Sequence, residues 1–165
     1  MAGIVINDNV VYNTADAGIN FNTNTLQGCK IYNNTIYNTD LNSNSTYGAF
    51  MNQWNLPAGA FDIENNIIQP SPGMPYGADA IAGAGTIANN LWYGGTGDIS
   101  SDAHPVTGNP LFVNPGTDFH LQAGSPAIGA GSLSVLSVVN SDYDLLQSIL
   151  SSATSIDIGA YQYAP

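Results

Sequence analysis

Few side chains in this sequence can do chemistry. Lys30 is its single basic residue, set against twelve carboxylates and two histidines, His104 and His120. Elimination beside a uronate needs a base and a means of neutralising the charge that develops on the substrate carboxylate. Lys30 is the one permanent cation available for that, and a lyase mechanism within these residues is not expected. Glycoside hydrolysis needs instead two carboxyl groups about 5–9.5 Å apart. The candidates are Asp16, Asp62, Glu64 and Asp79. Asp62 and Glu64 are two apart on one expected strand and so share a face. The competing role for all of these groups is solvated charge on a weakly charged surface. His104, in "SSDAHPVTGN", lies near Asp98 and Asp102. Such loop carboxylates suit calcium, although no D-x-D-x-D-G signature accompanies them. His120, in "DFHLQAGSPAI", is flanked by Phe119 and Leu121, which points to a structural role.

Aromatic residues are spread along the chain: Tyr12, Tyr32, Tyr37, Tyr47, Trp54, Tyr76, Trp92 and Tyr93. Facing outward, they would offer flat apolar surfaces beside amides and hydroxyls, a combination suited to sugar rings. The alternative is ordinary strand propensity. Asn20, Trp54, Asp79 and Trp92 are the candidate ligand-binding residues.

The elements that must position these groups are legible in composition and repeats. The chain has 165 residues and a formal charge of −11, with only 8% charged residues. A 44% hydrophobic content is enough for a core, so this is not a disordered acidic tail. The scarcity of lysine and arginine excludes a nucleic-acid partner and an anionic membrane surface. No apolar run is long enough to span a bilayer. Cys29 is alone and cannot form an intrachain disulfide.

Four similar strings recur: "VINDNVVYN" from Val5, "CKIYNNTIYN" from Cys29, "DIENNIIQP" from Asp62 and "TIANNLWYG" from Thr86. Aligned, they put Asn9, Asn34, Asn66 and Asn90 in one column, spaced 25, 32 and 24 residues apart. Three residues before each asparagine is Ile6, Ile31, Ile63 or Ile87; two after it is Val11, Ile36, Ile68 or Trp92. Short apolar–polar alternation predicts strands. The central pair predicts a corner, because asparagine tolerates the left-handed conformation. Stacked in register, the four amides would form a ladder. A second phrase, "AGINFN", "YGAFMN" and "YGADAI", has glycines at 18, 48 and 77 and predicts another short strand per repeat. Coils of 24–32 residues with asparagine corners predict an all-β fold, a right-handed parallel β-helix solenoid of about four coils. Coils are expected over 1–108, with a closing coil and C-terminal cap over 109–165, as one continuous domain.

The "I-x-N-N-x-I-Y-N" coils resemble right-handed parallel β-helix proteins of the pectate-lyase-like superfamily. "GNPLFVNPGTDFHLQAGSPAIGAGS", Gly108 to Ser132, with "DIGAYQY", Asp157 to Tyr163, resembles the closing segment of secreted bacterial members. The resemblance covers nearly the whole chain, as the C-terminal portion of such a protein. It implies polysaccharide-active or surface proteins, including lyases, hydrolases and epimerases, with the catalytic cleft usually in earlier coils. A basic, glycine-containing stretch usual before "DIGAY" is replaced here by "LSVLSVVNSDYDLLQSILSSATS". There Leu145, Leu146, Ile149 and Leu150 form one helical stripe behind Ser141, Asp142 and Asp144, predicting a short capping helix.

The expected function is an extracellular or cell-surface β-helix domain that binds or helps process polysaccharide, not catalytic by itself. The alternatives are a polysaccharide-degrading or epimerising enzyme with its site partly in upstream coils, and a structural fibre or adhesin module. The negative field favours neutral glycans unless calcium bridges anionic ones. "MAGIVINDN" carries no signal-like segment and enters the repeat directly. This favours a piece of a longer protein and an open N-terminal end able to self-associate. Of the glycosylation sequons at Asn33 and Asn44, only the second lies in a loop.

Overall fold

The computed structural model describes residues 3–21, 27–42, 47–52, 59–77, 84–138 and 154–164. Its strands are β1 (Val5–Asn7), β2 (Val10–Tyr12), β3 (Ile19–Phe21), β4 (Cys29–Tyr32), β5 (Thr35–Tyr37), β6 (Phe50–Asn52), β7 (Phe61–Glu64), β8 (Ile67–Gln69), β9 (Ala84–Ala88), β10 (Leu91–Trp92), β11 (Val106–Thr107), β12 (Phe112–Asn114) and β13 (Asp118–Leu121). The helical element among the described residues is a 3₁₀ turn, Leu133–Ser137. The helix expected over 141–150 lies outside them, as do Asn44, Trp54 and Asp79.

The fold is all-β with parallel sheets. The first sheet runs β1-β4-β7-β9 and the second β11-β10-β8-β5-β2, so each sheet takes one strand from each repeat in turn. β3 and β6 form a third, parallel pair. The aligned columns of the sequence are the columns of the sheets. Ile6 pairs with Ile31, Ile31 with Ile63 and Ile63 with Ile87. Val11 pairs with Ile36, Ile36 with Ile68 and Ile68 with Trp92. Most of these side chains meet in one core, joined by Phe21, Phe50, Phe61 and Tyr76. Ile31, Ile36, Ile63 and Ile68 are completely buried, each burial contributing about 1.5–3 kcal/mol. Phe21 stacks on Phe61 with ring centroids 4.5 Å apart.

The corner between the two sheets uses its two polar residues differently. The first of each pair, Asp8, Asn33, Asn65 and Asn89, turns the chain at φ of 53° to 57°. The second points inward. Gly48, at φ 58°, has the carbonyl of Pro75 only 1.6 Å from where a Cβ would stand, so no side chain fits there.

The described tail packs along the flank. β12 and β13 form an antiparallel hairpin. Its Phe112, Phe119 and Leu121, with Ala127 and Ile158, cover Ile67 and Leu91 on the outer face of the second sheet. The edges of the two main sheets nearest the N-terminus, where association was expected, are β1 and β2; Val5 is 42% exposed there.

Candidate functional site

The sequence candidates Lys30, Asp62 and Glu64 come together on the outer face of the first sheet. Strand register sets Lys30 beside Asp62 and Tyr32 beside Glu64, a two-by-two polar array. The Lys30 ammonium forms an ion pair with Asp62 Oδ2 and lies 5.8 Å from the Tyr32 ring centroid. The Asp62 carboxylate raises the lysine pKa, so the cation is held charged. Asp62 Oδ1 accepts the backbone N–H of Thr86 at 2.8 Å. Glu64 Oε2 accepts the hydroxyl of Ser134 at 2.9 Å. Burial, and then the Glu64 charge, push the Tyr32 phenol up to about 12. Tyr32 is also covered by Val135 and Ile156 of the tail. Both carboxylates are thus engaged by neighbours in the chain, and the array reads as a fastening between strands and tail.

That fastening continues along the corner. The Asn65 side chain donates to Ser132 O at 2.9 Å and accepts from Ser132 N at 2.8 Å. Asn89 donates to Ala130 O at 3.0 Å. The sequon residue Asn33 is buried in the same column. The "DIGAYQY" segment closes the join. The buried Asp157 accepts N–H groups from Gly129 and Tyr163. Gly159, at φ 103°, donates to Asn65 O at 2.8 Å, and a Cβ there would lie 2.6 Å from Ile67. The segment Asp157 to Tyr163 is therefore a docking clip.

Inside the corner, the four aligned asparagines form the expected ladder. Backbone N–H and side-chain Nδ2 of Asn9 both donate to Asn34 Oδ1, those of Asn34 to Asn66 Oδ1, and those of Asn66 to Asn90 Oδ1, at 2.9–3.1 Å. Two candidate assignments are corrected here. Asp102, a calcium candidate, is 4% exposed and closes the ladder. Its Oδ2 accepts from Asn90 N, Asn90 Nδ2 and Trp92 Nε1, and its Oδ1 from His104 N. The last rung donates and has no asparagine above it, so an acceptor-only carboxylate completes it. Trp92, a ligand-binding candidate, is 2% exposed and lies in the core against Tyr76. Asp98 holds Ser100 through both oxygens. Among the described residues no group of three His, Cys, Asp or Glu could hold a metal ion.

Asn20 is exposed on β3, paired in register with Met51. The aromatics that do face outward lie elsewhere. Tyr12, 48% exposed, and Tyr37, half-buried against Phe112 and Phe119, are neighbours in register on the second sheet. Phe119 sits between them, 5.3 Å from each. The next residues, Asn13 and Asn38, turn the chain at φ 54° and 50°. Asn38 Nδ2 donates to Asn13 Oδ1 at 2.7 Å and Ser71 Oγ to Asn38 Oδ1 at 3.1 Å. This second, outer ladder was missed in the sequence, although "VVYN" and "TIYN" stand 25 residues apart. Together the four residues make a strip of paired phenols and amides, exposed at Tyr12 and Asn13 and half-buried at Tyr37 and Asn38.

No protein-family model matches the chain, and no curated protein matches it.

Proposed function

We propose that the chain is a right-handed parallel β-helix, of the kind seen in the pectate-lyase-like superfamily, and that it binds a neutral polysaccharide outside the cell without cleaving it. The observation that carries this reading is the strip of Tyr12, Asn13, Tyr37 and Asn38. Phenol rings offer apolar faces to sugar C–H groups, and amides offer both donors and acceptors to hydroxyls. Successive strands repeat the Tyr–Asn unit one strand spacing apart, about 4.8 Å, which suits a ligand that is itself a repeat. The net charge of −11 selects against anionic chains. The engagement of Asp62 by Lys30 and of Glu64 by Ser134 supports binding over hydrolysis.

The test is retention of the purified chain in gels cast with galactomannan, xyloglucan or hydroxyethyl cellulose, against a gel without polysaccharide. Pectate and alginate, with and without calcium, are the anionic controls, followed also for unsaturated ends. Retention by a neutral gel that Tyr12→Ala abolishes is the expected result. Release of unsaturated ends or of reducing sugar would overturn the non-catalytic part of the reading.

A further inference from the structure

We propose that Asp118, His120 and Tyr161 form a second saccharide contact on the tail, where Asp118 Oδ2 and His120 Nε2 accept two neighbouring hydroxyls of a neutral sugar ring. The inference rests on the glycan-binding reading above.

Alternation along β13 sends Phe119 and Leu121 into the flank core and turns Asp118 and His120 outward. Their side chains are 42% and 40% exposed. Asp118 Oδ1 accepts the His120 backbone N–H at 3.0 Å and lies 2.6 Å from His120 Nδ1. The His120 ring and then its backbone N–H hold the Asp118 carboxyl below its usual range, so the acid is ionised. An ionised carboxylate at Nδ1 fixes the ring proton there and leaves the Nε2 lone pair as an acceptor in the neutral ring. Among the described residues, neither Asp118 Oδ2 nor His120 Nε2 has a hydrogen-bond partner. With the ring neutral, the outward edge is acceptor-only, and it calls for a ligand that brings two donors.

Tyr161 completes the contact. Its ring centroid lies 4.3 Å from that of His120, inclined at 37°. Burial, and then the Asp118 charge, raise the phenol's pKa, so it stays neutral. The docking clip preorganises it: Asp157 takes the Tyr163 N–H, and Asp157 N donates to Gln162 Oε1 at 2.8 Å. A pyranose supplies both requirements, adjacent hydroxyl donors and an apolar face. An anionic sugar would meet the Asp118 charge.

The test is calorimetric titration with galactomannan, xyloglucan and cellulose oligosaccharides, using wild type, Asp118→Asn, His120→Ala and Tyr12→Ala. Nitrogen-15 spectra of the wild-type imidazole read the tautomer directly. The expected results are a ring protonated at Nδ1 and affinity lowered about tenfold in each of the Asp118 and His120 variants, the loss of one hydrogen bond. A ring protonated at Nε2 overturns the inference without any variant. Full affinity in Asp118→Asn and His120→Ala, with loss in Tyr12→Ala, overturns it while leaving the glycan reading intact. No binding by wild type overturns both.

Discussion

Two asparagine ladders run side by side in this molecule with opposite polarity. In the inner one, each asparagine donates to the next repeat, from Asn9 to Asn90, and Asp102 receives the last donors. In the outer one, the later residue donates to the earlier: Ser71 to Asn38, Asn38 to Asn13. Asn34, Asn66 and Asn90 are fully buried, whereas Asn13 is exposed. The same residue at the same 25-residue step thus does two jobs. Register alone makes asparagines stack; burial decides whether the stack is sealed in the fold or faces solvent. A buried amide cannot recover its lost hydrogen bonds from water, and an exposed one can.

The largest effect expected from this contrast is at Asn66. Its Nδ2 reaches Ile31 O, Glu64 O and Asn90 Oδ1, and its Oδ1 takes both donors of Asn34. Asn66→Ala should lower unfolding free energy by about 3–4 kcal/mol, since several buried groups lose partners at once. Urea titration measures it. A loss no greater than that at Asn38 would remove the distinction between the two ladders.

Asp102→Ala comes next. It strands the Asn90 and Trp92 donors at the closed end, and about 2–3 kcal/mol should be lost. Asp102→Asn, which keeps one carbonyl acceptor, should recover part of that. Full stability in Asp102→Ala would mean that the ladder needs no terminal acceptor.

The inner ladder was legible because four copies repeat it with an isoleucine three residues before each asparagine. Trp92 was misread although its place, two residues after Asn90, is the column of Val11, Ile36 and Ile68. Position in the column, with the burial usual for a large aromatic side chain, puts it in the core. The outer ladder was hidden because its column breaks after two copies: Gln69–Pro70 and Tyr93–Gly94 follow Tyr12–Asn13 and Tyr37–Asn38. Asp102 breaks both the spacing and the residue type, and only the direction of the donors explains a carboxylate there. The contacts of "DIGAYQY" join residues as far apart as Thr35 and Ala160, a separation at which periodicity carries no information.

The tail fastening gives the comparison a pH dependence. Tyr32 is raised from 10.0 to about 12, first by burial. Lys30 is raised from 10.5 by Asp62. Both therefore keep their protons in the folded chain at pH values where the unfolded chain has lost them. The unfolded state then binds fewer protons, and stability falls as pH rises. The contribution is fully present below pH 10 and fades towards pH 12. Circular dichroism melts across that window should show the decline, and Tyr32→Phe should make it shallower. A wild-type profile flat across the same window would mean that the tail does not bury Tyr32 in solution.

The smallest effect on stability belongs to Asn38, and it separates the two roles most sharply. Asn38→Ala removes the hydrogen bonds to Asn13 and Ser71; water can solvate the exposed Asn13 oxygen, whereas the buried Ser71 hydroxyl loses its acceptor. The change in unfolding free energy should stay at about 1 kcal/mol, most of it from Ser71, with a further small term because φ of 50° is unfavourable for alanine. Asn38→Gly, which relieves that strain, isolates the hydrogen-bond contribution. Retention on a neutral polysaccharide gel should nevertheless weaken in both variants, since the strip loses an amide beside Tyr37. Stability loss matching that of Asn66→Ala, together with unchanged retention, would make the outer ladder structural as well and leave Tyr12 and Tyr37 as bare aromatics.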